Sequence, residues 1–129
     1  IYAWCLMSNH LHLLAKADDL SGVLRDFKKY TSKKLIEQII DEPESRKEWL
    51  LKSFKEAGLD INRIKNFKIW QDGNHAIEIT SKEFFIEKMN YIHNNPVEEM
   101  IVSNAEDYLF SSAKNYAGEV SFIDLEMNY

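Results

Sequence analysis

The sequence predicts an α/β (α+β) domain, and three observations point there. Tyr2 to Leu14 is an apolar, β-prone run, Tyr-Ala-Trp-Cys-Leu-Met-Ser-Asn-His-Leu-His-Leu-Leu. Leu20, Val23, Leu24, Phe27 and Thr31 recur at helical spacing just after it. A second helix start, near Thr80, follows two short extended runs. With 129 residues, 45% hydrophobic and 12% aromatic, the chain fits a single domain over 1–129 with a real core, and disorder is excluded.

The opening run is the element that matters most. Side chains alternate faces along a strand, so His10 and His12 point one way while Leu11 and Leu13 point the other. Two neighbouring imidazoles form half of a metal site. A lone His-x-His is a weak signal, however, and a half-exposed pair on a strand is the commoner case. Because this core strand starts at Ile1, further N-terminal residues are expected to precede it.

Asp18 and Asp19 are N-cap candidates for a helix over about Leu20 to Ile40. Arg25, Lys29 and Lys33, four apart, form a basic stripe opposite its apolar face, and Lys28 and Lys34 lie in the same segment. Tyr30 reads as packing or phosphate contact. Asp41-Glu42-Pro43-Glu44 ends this helix and begins another with an apolar stripe of Trp49, Leu50, Phe54 and Ala57, stopped at Gly58. A basic connection over 59–66 leads to a strand at 67–71, a tight turn at 72–74 and an extended run at 75–79. His75 there suits a surface position better than a site. Thr80 and Glu83 have capping-box spacing, with Ile79 and Phe84 as a staple, and Phe85, Met89 and Ile92 form the buried face of the helix that follows. Tyr91 and Asn95, four apart, share an adjoining face. Pro96 is expected to end or kink the helix at Asn95. The tail from Ser103 to Tyr129 reads as mostly irregular.

No apolar run approaches the roughly 18 residues of a membrane helix, and no signal-peptide pattern opens the chain, so no membrane association is expected. The lone Cys5 has no intrachain partner and reads as a small buried residue, in keeping with a cytoplasmic location. The net charge of −5 argues against nucleic acid, but its distribution argues for it. Arg25, Lys28, Lys29, Lys33 and Lys34 crowd one segment and Arg63, Lys65 and Lys68 another, while acids gather in the last third. Screening limits distant charges to roughly 8–10 Å, so a local basic face can hold phosphates on an acidic molecule. Solvated helix faces are the plainer reading of the same pattern.

Taken together, His10, His12 and Asn95 offer two imidazoles and an amide oxygen, a neutral set suited to Mg²⁺ or Mn²⁺ with positions left open. Such a cation stays a good Lewis acid toward a phosphoryl oxygen. Tyr91 beside a phosphate so held needs only in-line placement to attack phosphorus. That exchange of esters needs no ATP, and the chain has no phosphate-cradling Gly-rich loop.

Met7-Ser8-Asn9-His10-Leu11-His12-Leu13-Leu14 resembles the His-hydrophobic-His motif of the HUH tyrosine transposases. The similarity is closest to the REP-associated tyrosine transposases and the small insertion-sequence transposases that act on single-stranded DNA. Further pieces agree in order: the basic segment Arg25 to Leu35, Ile69-Trp70-Gln71 with His75-Ala76-Ile77, and Tyr91-Ile92-His93-Asn94-Asn95-Pro96-Val97 followed by Tyr108 and Ser111-Ser112. The match spans nearly the whole chain. It implies a ferredoxin-like HUH domain, an antiparallel sheet with helices on it, whose N-terminal strand, helix and strand have no counterpart here. It also implies metal ligands at His10, His12 and Asn95, a nucleophile at Tyr91, and DNA binding by Arg25, Lys28, Lys29, Lys33 and Lys34. Such enzymes cut one strand beside an imperfect hairpin, attach to the 5′ phosphate and free a 3′ hydroxyl. The protein would then be nucleoid-associated when bound to DNA, with a homodimer an open arrangement. Two rival functions remain: a non-catalytic, domesticated binder of hairpin nucleic acid, and a metal-dependent phosphodiesterase using water.

Overall fold

The computed structural model describes residues 1–59 and 67–127. Among these residues it is a mixed α/β protein with four α-helices and a two-stranded antiparallel sheet. In chain order they are β1 (Ala3–Leu6), β2 (Leu11–Leu14), α1 (Leu20–Asp41), α2 (Lys47–Glu56), α3 (Lys82–Glu98), a 3₁₀ turn (Ala105–Asp107) and α4 (Ala113–Tyr116). The chain forms two compact units, one of residues Ile1–Lys16 and Ile77–Tyr129, the other of residues Ala17–Ala76.

In the first unit the opening run is a hairpin, not one continuous strand. Met7 N–H donates to the His10 carbonyl at 2.9 Å, which closes the turn and brings β2 back along β1. The register pairs Ala3 with Leu14, Trp4 with Leu13, Cys5 with His12 and Leu6 with Leu11. Paired residues share a face, so His12 lies on the same side as Ala3, Cys5 and Leu14. That is the side where Phe85 and Ile92 of α3 complete the core with Met7. Cys5 is fully buried, as its apolar setting implies, and burial pushes its thiol pKa up.

The tail is more ordered than its composition suggests. Leu6 N–H donates to the Phe110 carbonyl at 2.8 Å and Ser112 N–H to the Trp4 carbonyl at 2.9 Å, so residues 110–112 run along the free edge of β1. Ser111 and Ser112 are completely buried there. Two serines read as loop because their hydroxyls compete for backbone groups; here those hydroxyls have found such partners inside the protein.

The start of α3 lies one residue later than the capping-box spacing implies. Ser81, not Thr80, is the N-cap, and its Oγ accepts from Phe84 N–H at 3.1 Å. Its own backbone N–H, helped by the Ser81 hydroxyl, holds the Glu83 carboxyl below its usual range. Pro96 does not end the helix at Asn95: α3 runs on to Glu98 with Pro96 fully buried in its last turn. The end is instead a Schellman motif, with Met100 N–H on the Val97 carbonyl and Ile101 N–H on that of Pro96, both 2.9 Å. Met100 takes the left-handed position that glycine normally fills, at φ 56°.

In the second unit, Asp19 caps α1 by accepting from Gly22 N–H at 2.8 Å. A Cβ at Gly22 would meet the Asp19 carboxylate, so the glycine permits the close approach. The expected strand pair at 67–71 and 75–79 is absent among the described residues, which are irregular from 67 to 80. The backbone acceptors a ladder would use are taken by side chains of α1. Lys28 Nζ donates to the carbonyls of Gln71 (3.1 Å) and Gly73 (2.8 Å). Trp70 Nε1–H donates to Thr31 Oγ1 at 2.8 Å, and the Trp70 ring lies 5.7 Å from that of Phe27. Helix α2 begins at Lys47, after Pro43 instead of at it, and leaves Trp49 62% exposed.

Candidate metal and nucleophile site

The site is built by two elements of the first unit. Strand β2 and its preceding turn supply His12 and His10, and the face of α3 beside its buried stripe supplies Tyr91 and Asn95. The His10 and His12 rings meet edge to face at 4.6 Å, with Nε2 to Nε2 at 3.0 Å. The His12 ring in turn meets Tyr91 edge to face at 5.5 Å. Asn95, buried on the same helix one turn on, interacts with the His12 side chain. All four residues that the sequence singles out for the chemistry therefore gather in one place within one chain.

The electrostatics of the cluster favour neutral donors. Burial pushes the His12 imidazole pKa below its ordinary value and the neighbouring His10 acts in the same direction, while hydrogen bonding to Asn95 opposes them. A neutral imidazole is the form that donates a lone pair. Among the described residues no three His, Cys, Asp or Glu side chains gather to hold a metal ion, so any cation here has two imidazoles and an amide, not a carboxylate cage. The two Nε2 atoms lie 3.0 Å apart, so His10 and His12 could both reach one small cation, which would act there as a Lewis acid.

Tyr91 is 48% exposed. Lys88, one turn earlier on α3, holds its ammonium 6.0 Å from the Tyr91 ring centre and 4.9 Å from that of Phe84. Tyr30, the other tyrosine considered, is exposed on α1 in the second unit.

Beneath the site lies a network that the sequence did not announce. His93 Nε2 is 2.8 Å from Ser112 Oγ, which accepts from Trp4 N–H at 2.9 Å and donates to the Trp4 carbonyl at 3.1 Å. Burial drops the His93 pKa to about 4, so at neutral pH it is an uncharged link between α3 and β1. The only trace of this in the sequence is a histidine on the side of α3 that carries Phe85, Met89 and Ile92, and a Ser-Ser pair.

The proposed DNA-binding residues all lie on α1. Lys28 is engaged by the Gln71 and Gly73 carbonyls, which makes it a clamp on its own unit. Arg25 pairs with Asp26 at 3.1 Å, and Lys33 and Lys34 both reach Glu37, at 3.7 and 2.9 Å. These pairs are exposed, so solvent screening leaves them weak. Lys29 is exposed and has no ion pair among the described residues. Arg63 and Lys65 lie outside the described residues, and Lys68 pairs with Asp72 at 2.7 Å.

No family model, curated protein or solved structure matches this chain. Among the described residues, no helix is long and apolar enough to cross a membrane.

Proposed function

We propose that this chain is a nickase and strand transferase for single-stranded DNA of the HUH tyrosine transposase class, on a ferredoxin-like sheet. Tyr91 is its nucleophile, and His10, His12 and Asn95 are ligands of Mg²⁺ or Mn²⁺. The observation that carries the reading is the approach of the Tyr91 ring to His12 at 5.5 Å, where His12 and His10 bring their Nε2 atoms to 3.0 Å. When bound, the cation supplies Lewis-acid polarisation of a phosphoryl oxygen.

The chain's own residues do the rest. His10, His12 and Asn95 are neutral, so they leave the cation's charge for the phosphate. Tyr91 Oη forms a bond to phosphorus as the bond from phosphorus to the 3′ oxygen breaks. The phenolic proton passes to solvent and the departing oxygen is protonated to a 3′ hydroxyl. One phosphodiester is exchanged for another, so the same hydroxyl can attack the phosphotyrosine and restore the strand without ATP. Arg25, Lys29, Lys33 and Lys34 contact phosphates of a hairpin substrate, and Lys28 supports the segment beneath them. In this reading Tyr91 serves the histidines of its own chain, whose His12 ring it approaches at 5.5 Å.

The test is a denaturing gel of 3′-labelled hairpin DNA incubated with the protein and Mn²⁺. A covalent protein–DNA band supports the reading. Free cut strands would point to hydrolysis by water, and intact DNA that still shifts on a native gel would point to a non-catalytic binder; either result contradicts it.

A further inference from the structure

We propose that Asn9 is a positioning residue for His10, fixing the tautomer that leaves His10 Nε2 free to take a cation; this rests on the metal reading above. Asn9 sits in the hairpin turn directly before His10, and its Oδ1 lies 2.6 Å from His10 Nδ1. A carbonyl oxygen only accepts, so His10 carries its proton on Nδ1. A neutral imidazole has one N–H, and its lone pair is then on Nε2, the atom facing His12 Nε2 at 3.0 Å.

This arrangement makes chemical sense only with the Asn9 contact in place. In the metal-free protein His12 Nε2–H donates to His10 Nε2. A cation held by both Nε2 atoms would require His12 in its Nδ1–H form, with the His10 lone pair already in place. An unrestrained histidine side chain favours the Nε2–H form. Without Asn9, His10 would present a proton to the N–H of His12, and the two rings would turn apart. Outer partners of this kind typically change metal affinity 10–100-fold.

Two measurements on the whole chain test this. The first is a two-bond ¹⁵N–¹H spectrum of the metal-free protein at neutral pH, which reports the tautomer directly. His10 should be Nδ1–H in the wild type and in Asn9→Asp, which keeps the acceptor, and Nε2–H in Asn9→Ala. The second is Mn²⁺ binding by calorimetry. Asn9→Ala should weaken it 10–100-fold and Asn9→Asp should restore it. A wild-type His10 in the Nε2–H form, or an Asn9→Ala protein that binds Mn²⁺ as tightly as the wild type, would overturn the role of Asn9 while leaving the metal site standing. If the metal reading itself fails, the pattern differs: the wild type binds no Mn²⁺ whatever the His10 tautomer, and the positioning role falls with it.

Discussion

His93 Nε2 and Ser112 Oγ, nineteen positions apart in the chain, lie 2.8 Å from each other in the interior and tie α3 to β1. Because Ser112 also bonds both backbone groups of Trp4, the tie sets how α3 sits against the sheet that carries His12. Replacing Ser112 with alanine leaves the His93 ring and the Trp4 N–H without their partner. Each buried group so orphaned costs about 1–3 kcal/mol, so Ser112→Ala should lower stability in urea unfolding by at least that much.

The same histidine gives the protein an acid limit. Unfolded, His93 titrates near 6.5; folded, near 4. Between those values the unfolded chain binds more protons, so stability is full above pH 6.5 and falls as pH drops toward 4. The slope attributable to His93 is at most about 1.4 kcal/mol per pH unit. His93→Gln, which cannot titrate there, should flatten that limb in denaturant melts at pH 4.5 to 7, and an unchanged slope would assign the acid sensitivity elsewhere.

Met100 closes α3 in a left-handed conformation while 91% exposed, so its side chain contributes little packing there. The left-handed cost for a non-glycine residue is roughly 1–2 kcal/mol, against about 0.4–1 kcal/mol for the extra unfolded-state freedom of glycine. Met100→Gly should therefore raise stability by a few tenths to about 1 kcal/mol, visible as a higher Tm.

Much of the site was legible in the sequence because it depends on local periodicity. Spacing alone put His10 with His12 and Tyr91 with Asn95, and the hairpin register then carried the histidines to the α3 side of the sheet. What depended on distant partners was not legible. Residues 67–79 have strand-like composition, but Lys28 and Thr31, some forty positions earlier, take up Gln71, Gly73 and Trp70. The Ser111-Ser112 pair looks like loop until the edge of β1 is known to be open beside it. Pro96 misled for a related reason, since its burial and a Schellman end allow the last helical turn to persist.

On α1, Lys28 and the Lys29–Lys33 pair should behave differently. Each lysine that neutralises a phosphate on single-stranded DNA adds about 0.7 to the slope of log affinity against log salt. Lys29→Glu with Lys33→Glu should therefore weaken binding across sequences and flatten the slope. Lys28→Met should mainly loosen residues 67–76, read as faster amide exchange there. Unaltered DNA affinity at low salt in the double variant would reduce the stripe to a solvated surface.

The central claim is that Tyr91 Oη forms the bond to DNA, and its most direct test removes that one atom. Tyr91→Phe keeps the ring against His12, so folding and hairpin binding should be unchanged on circular dichroism and native gels. With Mn²⁺ and 3′-labelled hairpin DNA, the wild type and Tyr30→Phe should both give a covalent band on a denaturing gel, and Tyr91→Phe should give none. A Tyr91→Phe protein that still carries the label covalently would contradict the account.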